Sequence, residues 1–470
     1  MEKKENFTRW IFVIFPAITM LLGWGLRGYI GGGPFGAMIP GAMVALSISM
    51  LLELPVAVTA IFAIFSVVGI GLGGEMTYGQ TIGFVRNADT MWWGILGLTV
   101  KGGIWGLLGG ILLAVGLIYH RLAKKTVIIS LLLLLAGMLI GFKLINQPMI
   151  IYFSDPAKPR PESWGALLVG AILLLIYLKN KVEQAGYKII TRFARWGLIG
   201  GGLGFGLGGF WIALGSYLPK EVVFKEWWKA MEFTFGLLLG AAYGYAAWLS
   251  RKEIDFEKGI TSEVPASTPF IYLKEFVITL ILGVAIFWFF AAWLDPVVDA
   301  ARGVHGFTMI GLADIAKMLT NYAFFGLIMV VVVMRYPFMA WQIAITLTFS
   351  HTVIDLVDDI YPNTTSLFSV SFALVFLLTL AVGLIAGSIQ RHKNQVYKLF
   401  LLLVWSTVAV AWWRFAYKTD ILNFTGLSFS QALLERFFVH IVFTASAFYC
   451  SWISCKRVKE INRDKEIIVN

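Results

Sequence analysis

A few ionisable residues stand inside stretches that carry almost no other charge, and they are the groups best placed to do chemistry. Arg27 lies in GWGLRG, and Glu75 follows GLGG with Tyr78 and Gln80 close behind. Lys101 stands ten residues into the apolar run that starts at Met91, about 15 Å along a helix. Lys229 and Glu232 fall within WWKAMEF. A charge in so apolar a setting is costly and by default marks a pathway or a partner. Arg86 and Asp89 precede the pair Trp92-Trp93, and a second pair, Trp227-Trp228, precedes Lys229. Aromatic faces beside hydrogen-bonding groups suit sugars and other hydroxylated solutes. Together these residues form the candidate substrate-binding set.

A second constellation lies in HTVIDLVDD, where His351, Asp355 and Asp359 recur at i, i+4 and i+8 with Asp358 on the same face. His and Asp are the usual relay groups for coupling to a proton or cation within membranes. Asp295 and Asp299 form another i, i+4 pair. Paired carboxylates can hold Mg²⁺ on a diphosphate, and over those few residues the spacing resembles the DxxxD motifs of membrane prenyltransferases. Orientation argues against that role, because those enzymes face the cytoplasm. For Asp358 and Asp359, beside YPNTT, a solvated acidic turn is the structural alternative. No GxSxG, Walker, HExxH or CxxC pattern occurs, and neither a cofactor nor a metal site is expected. Cys450 and Cys455 read as small apolar residues, and His440, one turn after Arg436, as a packing residue.

The elements that position these groups follow from composition. Of 470 residues 59% are hydrophobic and only 14% charged, with a mean hydropathy of +0.79. A soluble domain is about a quarter charged, so an ordinary cytosolic enzyme, a disordered chain and a secreted disulfide scaffold are all excluded. The apolar residues fall in blocks of roughly the length that crosses hydrocarbon as helix. The fold class is an all-α, polytopic integral membrane protein. Fourteen spans are expected, at 9–26, 36–53, 54–74, 91–118, 126–145, 163–178, 196–217, 227–249, 271–294, 318–334, 337–354, 367–389, 397–413 and 432–454. With the N-terminus inside, every strongly basic connector falls on one face, from Lys3/Lys4/Arg9 to the tail Lys456–Lys465. That agreement explains the net charge of +11 by the positive-inside bias rather than by nucleic-acid binding. It puts both termini of a cell-membrane protein in the cytoplasm. The first span lacks an A-x-A cleavage site and reads as retained.

Three motifs recur in one order. MLLGWGL at Met20 matches MLIGFKL at Met138, GAMIPGAMVAL at Gly36 matches GALLVGAILLL at Gly165, and GIGLGG at Gly69 matches GFGLGG at Gly204. The last motif and the tryptophan pairs share an offset of 135 residues. Residues 1–125 and 126–252 therefore read as parallel four-helix repeats, a transporter design, with 253–470 as a six-helix unit. The charges do not repeat: Lys101 corresponds to Gly236 and Glu232 to Gly97. A repeated scaffold with unequal charges implies one asymmetric site between the halves, with Lys101 and Glu232 approaching each other. The alternative is a structural ion pair. In GWGLRGYIGGGPFG eight residues of fourteen are Gly or Pro, which implies either close helix packing or a helix broken at membrane depth.

The function expected from this pattern is secondary transport of a small polar solute, such as a sugar or an organic anion. With no nucleotide-binding segment, coupling falls to a proton or sodium gradient. Two alternatives are a membrane-embedded transferase taking a lipid-linked or acyl donor through His351, Asp355 and Asp359, and a non-catalytic scaffold subunit. The partners are the bilayer, the solute and the coupling ion.

Overall fold

The computed structural model describes residues 2–29, 33–76, 78–154, 162–219, 224–254, 370–389, 394–418 and 428–469, with isolated positions between 255 and 369. Among the described residues it is helical and without strands. The helices are α1 (Glu2–Tyr29), α2 (Gly33–Leu52), α3 (Val56–Gly73), α4 (Gly79–Val85), α5 (Met91–Leu117), α6 (Lys124–Gly141), α7 (Trp164–Lys179), α8 (Gln184–Tyr217), α9 (Trp227–Ser250), α10 (Val370–Ile389), α11 (Gln395–Lys418) and α12 (Phe438–Val469). Nine described helices are long and apolar enough to cross a membrane, so the chain is a multi-pass α-helical membrane protein. The spans expected at 271–294, 318–334 and 337–354 lie outside the described residues, as do His351, Asp355 and Asp359.

Six helices close a ring in which α1 packs on α2, α2 on α3, α3 on α5, α5 on α8, α8 on α9 and α9 back on α1. Lipid tails are as apolar as the helices, so such association depends on close packing and interhelical hydrogen bonds. Glycine supplies the first. The Cα atoms of Gly106 and Gly197 lie so near the opposite backbone that a methyl group on either would meet the other's carbonyl. Tyr243 supplies the second, its hydroxyl donating to the Gly106 carbonyl at 2.8 Å. α6 and α7 pair with each other outside the ring, where α7 touches α5 and α8. α11 and α12 pack together against α1 and α2. The ring interior holds an aromatic stack of Trp24, Trp105, Phe205 and Phe235 with centroid separations of 4.6 to 6.4 Å.

The glycine-rich stretch that begins at Gly23 does not break α1, which runs on through Gly28 to Tyr29. Its glycines are packing surfaces: Gly23 meets Pro40, Gly25 the rings of Phe233 and Phe443, and Gly28 the Glu232 carboxylate. Residues 30–32 of that stretch lie outside the described residues; a described break falls between α3 and α4, at Gly74–Met76. Gly73 packs on Trp105, Thr81 on Gly97 and Val85 on Gly94. As the chain advances through α3 and α4 it therefore moves steadily back along α5. Trp105, opposite the break, stands near the middle of the 27-residue α5. α3 and α4 thus form one discontinuous path along α5. Irregular backbone packed among apolar helices must be satisfied internally, and at residues 74–76 it is. Gly74, Glu75 and Met76 donate their N–H groups to the carbonyls three residues back, and the Glu75 carbonyl accepts from Ser163 Oγ at 2.8 Å.

Candidate functional site

The polar groups of the ring interior gather around this break in two ion-paired clusters and one arginine. The first cluster centres on Lys101. Its ammonium donates to Glu162 Oε1 at 2.6 Å and to Thr81 Oγ at 2.9 Å, with both charged side chains 1% exposed. Glu162 also accepts from Ser154 Oγ at 2.8 Å, the Phe153 N–H at 3.2 Å and Trp164 Nε1 at 3.1 Å. This buried carboxylate accepts four hydrogen bonds, one of them from its partner charge.

The second cluster joins α1 to α9. Lys229 Nζ donates to Glu232 Oε2 at 2.8 Å and to the Gly25 carbonyl at 3.0 Å, and lies 3.8 Å from the centre of the Tyr29 ring. Trp228 Nε1 donates to Glu232 Oε1 at 2.9 Å. Helical spacing produces this arrangement: Trp228, Lys229 and Glu232 lie on one turn of α9. Gly28 leaves the carboxylate room against α1. Glu226, half-buried just before α9, is pushed above the usual carboxylate range by burial, with Lys229 pulling it down and Glu232 adding to the rise.

Lys101 and Glu232 do not form the pair expected from the repeats. Each finds a carboxylate or ammonium nearer in the chain or on a neighbouring connector, because a charge in a low-dielectric interior takes the first counter-charge that also offers hydrogen bonds. Glu162, the residue that neutralises Lys101, was missed from sequence. The signal that could have found it is the cost of an isolated ammonium at that depth, which demands an acidic group at some outer helix end.

Arg27 is the exception to this neutralisation. It is 3% exposed, and no described carboxylate lies within ion-pair distance of it. Its guanidinium carbon sits 5.0 Å from the Trp24 ring, 5.2 Å from Trp105 and 5.4 Å from Tyr78. Nη1 donates to the Tyr78 hydroxyl at 2.6 Å. Trp24 and Trp105, also missed from sequence, stand three residues before Arg27 and four after Lys101, the helical spacings that bring side chains onto one face. Tyr78 links the clusters: its ring lies 6.5 Å from Trp228 and 5.1 Å from Phe205, while Thr81, one turn on, holds Lys101.

Of the residues expected in one site, the fold therefore gathers Arg27, Tyr78, Lys101, Trp228, Lys229 and Glu232, with Glu75 and Gln80 half-buried at the break. It does not gather the others. Arg86 and Asp89 are exposed beyond α4. Trp92 is 66% exposed and Trp93 42% exposed, the latter donating to the Tyr152 carbonyl. Trp227 turns outward to Trp211 and Phe224. Trp92, Trp93 and Trp227 therefore mark helix ends, and Trp228 alone of the two pairs turns into the site. His440 packs among Tyr29, Trp412 and Phe415. No protein-family model matches the chain, and no curated protein matches it.

Proposed function

We propose that the protein is a secondary transporter of a small polar solute, with its site inside the six-helix ring at the α3–α4 break. The observation that carries this reading is a helical path interrupted opposite the middle of α5, beside a buried arginine that no described carboxylate neutralises. Broken helices at the midplane are where secondary transporters place substrate and coupling-ion sites, and an interior charge kept without a partner is costly unless it is used. The clusters of Lys101–Glu162 and Lys229–Glu232 would brace the two sides of the passage, and a proton or sodium gradient would drive it.

The fuller layout belongs to the same proposal: fourteen spans, cytoplasmic termini and two tandem four-helix repeats ahead of a six-helix unit. In its support, the two copies of the glycine motif are used alike. Gly69 and Gly73 of α3 pack on the following span, α5, and Gly204 and Gly208 of α8 pack on the following span, α9.

Proteoliposome uptake tests the reading. Vesicles with an imposed sodium or proton gradient should accumulate a labelled solute from a panel of sugars and organic acids. Tyr78→Phe, which removes only the hydroxyl that accepts from Arg27, should lower uptake at least about tenfold while the protein remains folded. Absence of accumulation across the whole panel under either gradient would defeat the transport reading.

A further inference from the structure

The chemistry around Arg27 specifies what kind of solute the cage accepts. We infer that Arg27 and Trp24 form a binding site for a single carboxylate group, so that the solute is a small organic acid; this rests on the transport reading for its biological use, though not for the binding itself.

Charge pairing is the first support. Among the described residues Lys101 is matched by Glu162 and Lys229 by Glu232, whereas no described carboxylate, Glu75 at the break included, lies within ion-pair distance of Arg27. One carboxylate at the guanidinium fills that gap.

Donor geometry is the second. Arg27 uses Nη1 on Tyr78, and its buried Nε has no acceptor among the described residues. Trp24 Nε1, three residues earlier on the same helix and 1% exposed, is likewise buried without an acceptor. Buried N–H groups are almost always paired, and two orphan donors on adjacent turns, one of them charged, call for an acceptor that carries charge.

The third support is the packing on the guanidinium. Trp24, Trp105 and Tyr78 lie over it. Such stacking favours the cation but does not cancel its charge. It also fixes the plane of the group, which prepares a free edge for the two oxygens of a carboxylate, the geometry that guanidinium matches. A neutral sugar offers no charged acceptor to that edge.

The test is binding to the full-length protein in lipid nanodiscs at constant ionic strength, read by thermal unfolding and by quenching of tryptophan emission. The probes are sodium acetate, sodium D-gluconate, D-glucose and sodium chloride. Gluconate and glucose offer similar hydroxyls and differ chiefly in the carboxylate. Acetate and gluconate should raise the unfolding temperature in a saturable way, and glucose and chloride should not. Arg27→Gln should weaken acetate binding about thirtyfold or more, and Trp24→Phe, which keeps a ring but removes the N–H, about fivefold.

Equal responses to gluconate and glucose, no response to acetate, or a response matched by chloride would each overturn the inference. If Arg27→Gln does not fold, Trp24→Phe decides: unaltered acetate affinity in that variant also overturns it. Carboxylate binding that depends on Arg27, without uptake in proteoliposomes, would uphold the site and defeat transport. Uptake of a neutral sugar unaffected by Arg27→Gln would uphold transport and defeat the site.

Discussion

The Lys101–Glu162 pair makes the sharpest quantitative prediction. Glu162→Gln changes no volume but removes the negative charge and turns one acceptor oxygen into a donor. In the native protein the two oxygens accept four hydrogen bonds, Lys101 and Ser154 on Oε1, Phe153 N and Trp164 Nε1 on Oε2. Whichever way the glutamine amide turns, its NH₂ faces two donors, and a buried unsatisfied donor costs about 1–3 kcal/mol. The ammonium of Lys101, 1% exposed, loses its counter-charge, and breaking a buried pair from one side costs about 3–5 kcal/mol. Reversible unfolding in mixed micelles should therefore show a loss of at least about 3 kcal/mol. Lys101→Met should cost less, because three donors remain on the carboxylate. The double variant Lys101→Met/Glu162→Gln should recover about 2 kcal/mol of the sum of the single losses, as coupled neighbours do. If Glu162→Gln unfolds within about 1 kcal/mol of the native protein, the pair is not the buried, fully hydrogen-bonded unit described here.

Three further outcomes follow from named contacts. Gly106→Ala drives a methyl into the Gly197 carbonyl and should destabilise by about 1–3 kcal/mol in thermal unfolding, whereas Gly83→Ala, with open space at its Cα, should stay within about 0.5 kcal/mol. Gly28→Ala would displace the Glu232 carboxylate, and proteoliposome uptake should fall with it; unchanged uptake would separate the α9 cluster from function. Glu253 is held below the usual carboxylate range, chiefly by its hydrogen bond from Arg192 and also by the Arg192 charge and Lys188. A depressed carboxylate stabilises the fold above its unfolded value, near pH 4.3, and that stabilisation is lost as pH falls through the lower folded value. Arg192→Gln should thus flatten the acid limb of a pH–stability curve without altering its shape at neutral pH, and an acid limb identical to the native one would remove Glu253 from the account.

Which features were legible in the sequence follows from how local their causes are. A membrane helix is dictated by its own residues: twenty or so apolar side chains cannot be solvated elsewhere, and each backbone group must be bonded within the segment. Eleven of the expected spans coincide with described helices, nine of which are long and apolar enough to cross a membrane, and α5 runs over Met91–Leu117 where 91–118 was expected. The identity of costly groups was equally local, since Arg27, Lys101, Lys229 and Glu232 are buried as their isolation in apolar sequence required. Partner choice was not local. Lys101 could have met any carboxylate that the fold brought near, and only the placement of Phe153, Ser154 and Glu162 beside α5 and α4 selected Glu162. The glycines show the same division. Their abundance announced close approach or rupture, but α1 stayed whole because Pro40, Phe233 and Glu232 fill the space beside it, while the chain parted after Gly73, where Trp105 and Ser163 support the turn. Sequence by itself determined the helices and the charges they would have to hide; tertiary structure decided which charges cancel and set Arg27 beyond ion-pair reach of every described carboxylate, because pairing depends on distances between elements that no single segment encodes.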